Sequence, residues 1–340
     1  MPPVTLEITV APVDLPHAVY VLPHQLRQWA GQVDDVQFTL DLHQSRGRYG
    51  AAAAERREPL EALLAELCAK YPNAHVSPVD YSRVVAAEVS DRFFGGRPVP
   101  PKDHRGGPTY SYFFGWHVAR NDRVFHMDSD IFFGGGSQTW ISEAIELLIQ
   151  RPDVLMCTPL PGPPTQDGQL PAHIVAGHVP KGGVRPRREP HASLAYRFSG
   201  CSTRLFLFDR SRFTACLGPL PLEHPRLRSY LRARVEGHPP YELPERIITK
   251  RMLQRKLGRV DFLGTGPGMW SVHPPMRSEL FHRELPRILA RIEEGDVPEH
   301  QCGDFELNDS MIDWSTARAA RRKQLWWKRL ARQAAGAVLH

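Results

Sequence analysis

Between residues 18 and 263, short apolar runs alternate with segments of helical spacing. That alternation predicts a parallel sheet covered by helices, because each parallel strand needs a long crossover to reach the next. Strands are expected at 18–22, 36–40, 75–79, 123–127, 154–158, 205–208 and 260–263. Helices are expected from about His24, then over 55–71, 110–121, 138–151 and 245–257, the last with Pro244 at its first turn. Three stretches rich in Pro, Gly and basic residues interrupt the order, at 97–108, 159–190 and 219–240. The third has room for a helix over 226–235. Loops of that length inside a domain are functional or mobile.

The most chemical of these segments is Val124-Phe125-His126-Met127-Asp128-Ser129-Asp130-Ile131-Phe132-Phe133. An apolar strand delivers two aspartates, one residue apart, and the chain then turns apolar again before three glycines. Residues at i and i+2 of a strand point the same way, so the two carboxylates repel. A hard divalent cation between them and a phosphate ligand removes the conflict. The plain alternative is a turn whose aspartates cap the next segment. In the 97–108 loop, Lys102 and Arg105 are placed to meet a diphosphate, or else form a solvated basic loop.

Taken together, these residues resemble a GT-A-fold glycosyltransferase, closest to family 2 and its relatives, over about residues 17 to 275. Val21-Leu22-Pro23 resembles the family's opening strand and its exit, which implies a donor contact at Pro23. Asp41, after the second strand, resembles the aspartate that reads the nucleotide base. Asp128-Ser129-Asp130 resembles the D-x-D motif that holds metal and sugar-nucleotide. Phe198-Ser199-Gly200-Cys201 and Leu205-Phe206-Leu207-Phe208-Asp209-Arg210 resemble the strand beside the acceptor. His273, within Trp270-Ser271-Val272-His273-Pro274, resembles the late histidine that joins Asp128 and Asp130 on the metal. Glu245 resembles the catalytic acid at a helix start, with Glu242 its nearest substitute.

The resemblance implies a donor nucleotide-sugar, UDP- or GDP-linked, and Mn²⁺ or Mg²⁺, with manganese favoured by the imidazole ligand. It implies transfer to an acceptor hydroxyl, with inversion, through a carboxylate base. The rivals are a nucleotidyltransferase acting on a sugar phosphate, and a non-catalytic carbohydrate- or membrane-binding protein on the same fold. A nucleotidyltransferase opens with a Gly-rich basic loop after its first strand, where Leu22-Pro23-His24-Gln25 stands here. The expected organisation is an N-terminal extension (1–16), the GT-A domain (17–275) and a helical C-terminal region (276–340).

The net charge of +6 is concentrated at the C-terminus, where residues 315–340 hold seven Arg or Lys and no acid. The remainder is close to neutral, which argues against nucleic-acid binding by the main domain. If the tail is helical, Trp326, Trp327, Leu330, Ala334 and Ala337 share one face and Arg321, Lys328, Arg329 and Arg332 lie across from it. That pattern suits a peripheral contact with an anionic bilayer, or packing on the domain. No signal-peptide pattern opens the chain and no apolar run is long enough to span a bilayer. A cytoplasmic location is therefore expected, membrane-associated if the tail takes the bilayer contact. Five cysteines without a C-x-x-C pair read as reduced thiols.

Overall fold

A computed structural model of the chain describes residues 2–43, 53–165, 187–189, 192 and 194–323. Its first strand, β1, is Val4–Val10, buried along its whole length. Val4, Leu6, Ile8 and Val10 line one face, and Thr5, Glu7 and Thr9 the other. Glu7 in mid-strand hides this element from a hydropathy reading. Its carboxylate is paired with the buried His126.

The expected first strand at 18–22 is overturned: those residues belong to helix α1, Leu15–Trp29. Ala18, Leu22, Leu26 and Trp29 are all buried and recur at helical spacing, and a five-residue window is too short to reveal that period. Pro23 is therefore a helix-interior residue, not a strand exit, and its expected donor contact loses its structural basis. Residues 1–16, expected as an extension, supply a central strand. The true exit of that strand is Ala11-Pro12-Val13-Asp14, which also lacks a Gly-rich loop.

The other expected elements fall close to their predicted ranges. After α1 the chain forms β2 (Asp35–Leu40), α2 (Ala53–Lys70), β3 (Ala74–Pro78), α3 (Arg83–Phe94), α4 (Tyr110–Val118), β4 (Arg123–Asp128) and β5 (Phe132–Gly134). Then come α5 (Trp140–Gln150), β6 (Val154–Pro161), β7 (Arg187–Glu189), β8 (Ala195–Phe198), β9 (Leu205–Asp209) and α6 (Arg210–Leu217). The last are α7 (Leu227–Glu236), α8 (Pro244–Arg255), β10 (Gly258–Phe262), β11 (Trp270–Val272) and α9 (Glu279–Glu294). Of these, α3, β5, β7, β8, α6 and β11 have no counterpart among the expected strands and helices. Helical backbone resumes at 315–323. Trp326, Trp327 and the rest of the tail lie outside the described residues, as does Lys181 in the second irregular stretch. No described helix is long and apolar enough to cross a membrane.

The main sheet runs β3-β2-β1-β4-β9-β6-β10-β8-β7. The four strands from β3 to β4 are mutually parallel, β9 is inserted antiparallel between β4 and β6, and β10 is parallel to β6. The chain leaves β1 toward β2 and β3, then crosses back to add β4 on the other side. That reversal makes a switch point, and open α/β sheets bind ligands in the crevice beyond the carboxyl ends of the strands there.

Helices α1, α2 and α5 cover one face of the sheet. There Trp29 meets Phe125, Phe133 and Trp140 edge-on, with centroids 4.7, 5.0 and 5.7 Å away. Helices α3, α4, α6 and α8 cover the other, around Trp116. A third cluster joins α9 to β5 and β11. In that last pair Gly134 lies opposite Trp270, and a Cβ there would stand 2.0 Å from the indole Cζ2. Gly134→Ala is expected to cost about 1–3 kcal/mol by overpacking and to lower the melting temperature by several degrees in a thermal scan. An unchanged melting temperature would show that β11 is free to shift. The strand matters because it delivers His273.

Candidate active site at the sheet switch point

Asp41 follows β2, and its N–H donates to the Val10 carbonyl at the end of β1, 2.8 Å away. Its Oδ2 accepts from Lys102 Nζ at 2.6 Å, and Oδ1 accepts from the Tyr81 hydroxyl and the His43 N–H, each at 2.9 Å. Burial opposes its charge, but Lys102 outweighs burial and holds the carboxyl below the usual range. The rings of His43, Tyr81 and Tyr110 lie in a tilted row beside it, with centroid spacings of 5.2 and 4.8 Å. Lys102 is thus committed to Asp41. Arg105 differs: its side chain is exposed, while its N–H donates to Asp103 Oδ1 at 2.6 Å to shape the loop.

Across the crevice, β4 ends at Asp128. Helix α1 clasps the turn that follows. Gln25 Nε2 donates to the carbonyls of Asp128 and Ile131, both at 3.0 Å, and His24 Nε2 accepts from the Phe133 N–H at 2.9 Å. His17 Nε2 lies 3.3 Å from Ser129 Oγ. Asp128 Oδ1 accepts from the Tyr112 hydroxyl of α4 at 2.7 Å. Burial, then repulsion from Asp130, pushes the Asp128 carboxyl up to about 7.

Asp130 has the opposite fate. It is 1% exposed, and its Oδ2 accepts from Arg277 Nε at 2.9 Å and a terminal guanidinium nitrogen at 2.6 Å. The same guanidinium reaches Asp14 Oδ1 at 2.8 Å. His273 Nε2 stands 3.4 Å from Asp130 Oδ2, and its Nδ1 is 3.2 Å from an Arg204 nitrogen. Burial alone would raise the Asp130 pKa, but Arg277 and then His273 hold it well below the carboxylate norm. Burial, with Arg204 and Arg277 nearby, depresses His273 despite the Asp130 charge, so its ring is neutral near pH 7. Asp130 Oδ1 is buried with no hydrogen-bond partner. A buried carboxylate oxygen without a donor is costly, and its natural complement is a cation.

The structure therefore brings Asp128, Ser129, Asp130 and His273 together on one side of the crevice and pairs Asp41 with Lys102 on the other. Glu242 and Glu245 stand further off, at the start of α8. Glu242 accepts from the Leu243 N–H, just before the helix, at 3.0 Å and from Arg246 at 3.2 Å. Glu245 is half-buried and raises the Cys201 thiol, which burial already holds high. No hydrogen bond or ion pair links either glutamate to the Asp128–Asp130 group among the described residues. The connection is the 199–204 loop: Cys201 N–H donates to Thr249 Oγ1 at 2.9 Å, and the Arg204 carbonyl accepts from the Asp128 N–H at 2.8 Å.

Sequence reasoning missed Arg277, Asp14, His17, Gln25 and Tyr112. With β1 at Val4–Val10, Asp14 and His17 follow a switch-point strand and become candidates at once. Arg277 had a weaker signal, its place four residues after His273 and just past two prolines.

No protein-family model and no curated protein matches the sequence. Among solved structures the chain is similar to GalNAc-T7 bound to UDP, GalNAc and Mn²⁺, with 11% identity and a TM-score of 0.43, over 80% of this chain and 44% of that one. It is also similar to the mannosyltransferase PcManGT from Pyrobaculum calidifontis in complex with GDP-Man and Mn²⁺, at 11% identity and a TM-score of 0.35, over 65% and 48% of the two chains. The galactosyltransferase LgtC with donor and acceptor sugar analogues gives 12% identity and a TM-score of 0.33, over 73% and 70%. The chain spans less than half the length of the first two.

Proposed function

We propose that this protein is a GT-A glycosyltransferase that moves a sugar from a UDP- or GDP-sugar to an acceptor hydroxyl. The observation that carries the reading is that Asp41 and Asp128-Ser129-Asp130 follow β2 and β4, the two strands flanking β1 around one switch point, with Asp130 Oδ1 left unsatisfied. Asp41 and the His43–Tyr81 rings form a polar and stacking surface suited to a nucleoside. Asp128 and Asp130 offer the oxygen ligands that Mn²⁺ or Mg²⁺ prefers.

Among the described residues no group of three His, Cys, Asp or Glu side chains is arranged to hold a metal ion. One or two carboxylates would be enough for an ion that arrives with the donor, since magnesium in nucleotide enzymes completes its shell with phosphate oxygens and water. His273, 3.4 Å from Asp130 Oδ2, is the proposed further ligand. When bound, the metal supplies a positive charge that neutralises the departing diphosphate. The chain's own part is to hold Asp130 ionised through Arg277 and to fix the 128–131 turn through Gln25. Glu245 is the proposed base that takes the acceptor proton for an inverting transfer, with Glu242 its substitute.

Differential scanning fluorimetry with UDP or GDP tests this. Either nucleotide, at a hundredfold excess over its Kd, is expected to stabilise the fold by about 2.7 kcal/mol, a shift of several degrees, only when Mn²⁺ or Mg²⁺ is present. Asp130→Ala is expected to abolish the shift. A nucleotide shift equal in EDTA refutes the metal assignment, and no shift with either nucleotide refutes the donor site.

A further inference from the structure

Helix α7 buries only Ala233 of its ten residues. Its large apolar side chains point the other way: Leu227 is 74% exposed, Leu231 56% and Val235 87%. They recur every fourth residue, so at 100° per residue they form one stripe about 80° wide. An ordinary surface helix turns such a stripe inward. Here arginines border it on both sides. Arg234 falls about 20° before Leu227, Arg228 about 20° past Val235, and Arg232 beyond that. All three are exposed, and Arg232 is the one of them with an ion pair shown, to Glu236 at 2.9 Å.

We infer that α7 is an interfacial helix that docks on an anionic lipid bilayer, its leucines and valine in the acyl boundary and its arginines at the headgroups. Charge complementarity selects this occupant. A protein groove would match the stripe only if carboxylates bordered its apolar floor on both sides. A bilayer surface of anionic lipid satisfies both parts in one plane. The helix is also tied to the crevice. Its exit residue His238 packs so closely on Gly106 that a Cβ there would lie 2.7 Å from the imidazole, and the His104 N–H donates to the Tyr241 carbonyl at 2.9 Å. Those contacts anchor α7 to the loop that carries Lys102. Docking through α7 therefore fixes the loop at the crevice relative to the bilayer, whether or not sugar transfer is the activity.

The test is flotation of the full chain with vesicles of phosphatidylcholine, with and without phosphatidylglycerol. The wild type is expected to bind only the mixed vesicles. Leu231→Ser with Val235→Ser is expected to weaken binding on the order of tenfold or more, by removing apolar burial. Arg228→Ser with Arg234→Ser is expected to weaken it about 25-fold, about fivefold per arginine. These side chains are exposed, so unchanged melting temperatures should accompany the loss. Wild type that stays with the soluble fraction overturns the inference. So does binding that both double variants retain, which assigns it to another part of the chain. A stripe that instead drives dimerisation, seen as a mass that halves in the Leu231→Ser variant without vesicle binding, also overturns it.

Discussion

Asp128→Asn is expected to raise the melting temperature near pH 8, and Asp130→Asn to lower it, although both remove metal-dependent nucleotide binding. Burial and Asp130 hold Asp128 at about 7 against an ordinary 3.8. A folded pKa raised above the unfolded one means the fold prefers the protonated acid. That contribution is complete below about pH 4 and is lost as pH climbs through 7. Above 7 the folded protein carries a carboxylate it disfavours by on the order of 4 kcal/mol, and a neutral isostere recovers part of that. Asparagine keeps an oxygen to accept from Tyr112.

Asp130 follows the opposite linkage. Its pKa is depressed, so its contribution is present above about pH 4 and is lost as pH falls through the folded value. The Asp130→Asn change leaves Arg277 with Asp14 alone, and because Arg277 is partly exposed the loss is about 1–3 kcal/mol. Calorimetry at about pH 5 and pH 8 checks the pair. The Asp128→Asn gain should shrink to well under half at the lower pH, where only the unfolded carboxyl is ionised, while the Asp130→Asn loss persists. A gain independent of pH, or shifts of the same sign for both variants, would falsify the assignment of charge to Asp130. A site that stores such strain in one aspartate is a usual exchange of stability for function.

The same opposition explains what the sequence could and could not convey. Asp128 and Asp130 were legible as a pair because an apolar strand runs straight into two acids one residue apart, although Asp130 itself lies in the turn. Which of them carries the charge depends on Arg277, 147 residues after Asp130, and no local pattern encodes that contact. The sheet was legible wherever a strand carried a mostly apolar run, as in β6 and β9. It was illegible at β1, where Glu7 interrupts the pattern and only its partner His126 makes it a buried residue. Missing β1 shifted the first strand into α1 and took Asp14 and His17 out of view. Asp41 was found from its place after β2, but its pairing with Lys102 joins two elements across a loop that hydropathy does not order.

Glu7→Gln is expected to be among the most damaging single changes in the protein, at about 3–5 kcal/mol. His126 is fully buried, and both ring nitrogens face acceptors: Glu7 Oε2 on one side and the Thr203 carbonyl, 2.8 Å away, on the other. An imidazole with two acceptors must carry two protons, so it is a cation. Burial opposes that charge, and Glu7 more than compensates, so the His126 pKa is raised. The raised value means that the pair's contribution is complete below about pH 6.5 and is lost as pH rises through the folded pKa. In Glu7→Gln either an imidazolium is buried without its counter-ion, or a neutral ring turns a bare nitrogen toward a carbonyl. Urea denaturation should show the full loss near pH 6 and a smaller one at a pH above the folded His126 pKa, where the wild-type ring is also neutral. Glu7→Leu combined with His126→Phe should cost less than the sum of its singles, because the stranded charge is gone. The effect reaches the site through Thr203, whose neighbour Arg204 accepts from the Asp128 N–H through its carbonyl and contacts His273 through its side chain. A Glu7→Gln loss that is the same at both pH values would mean that the pair is held neutral, and that the charge beneath Asp128 is absent.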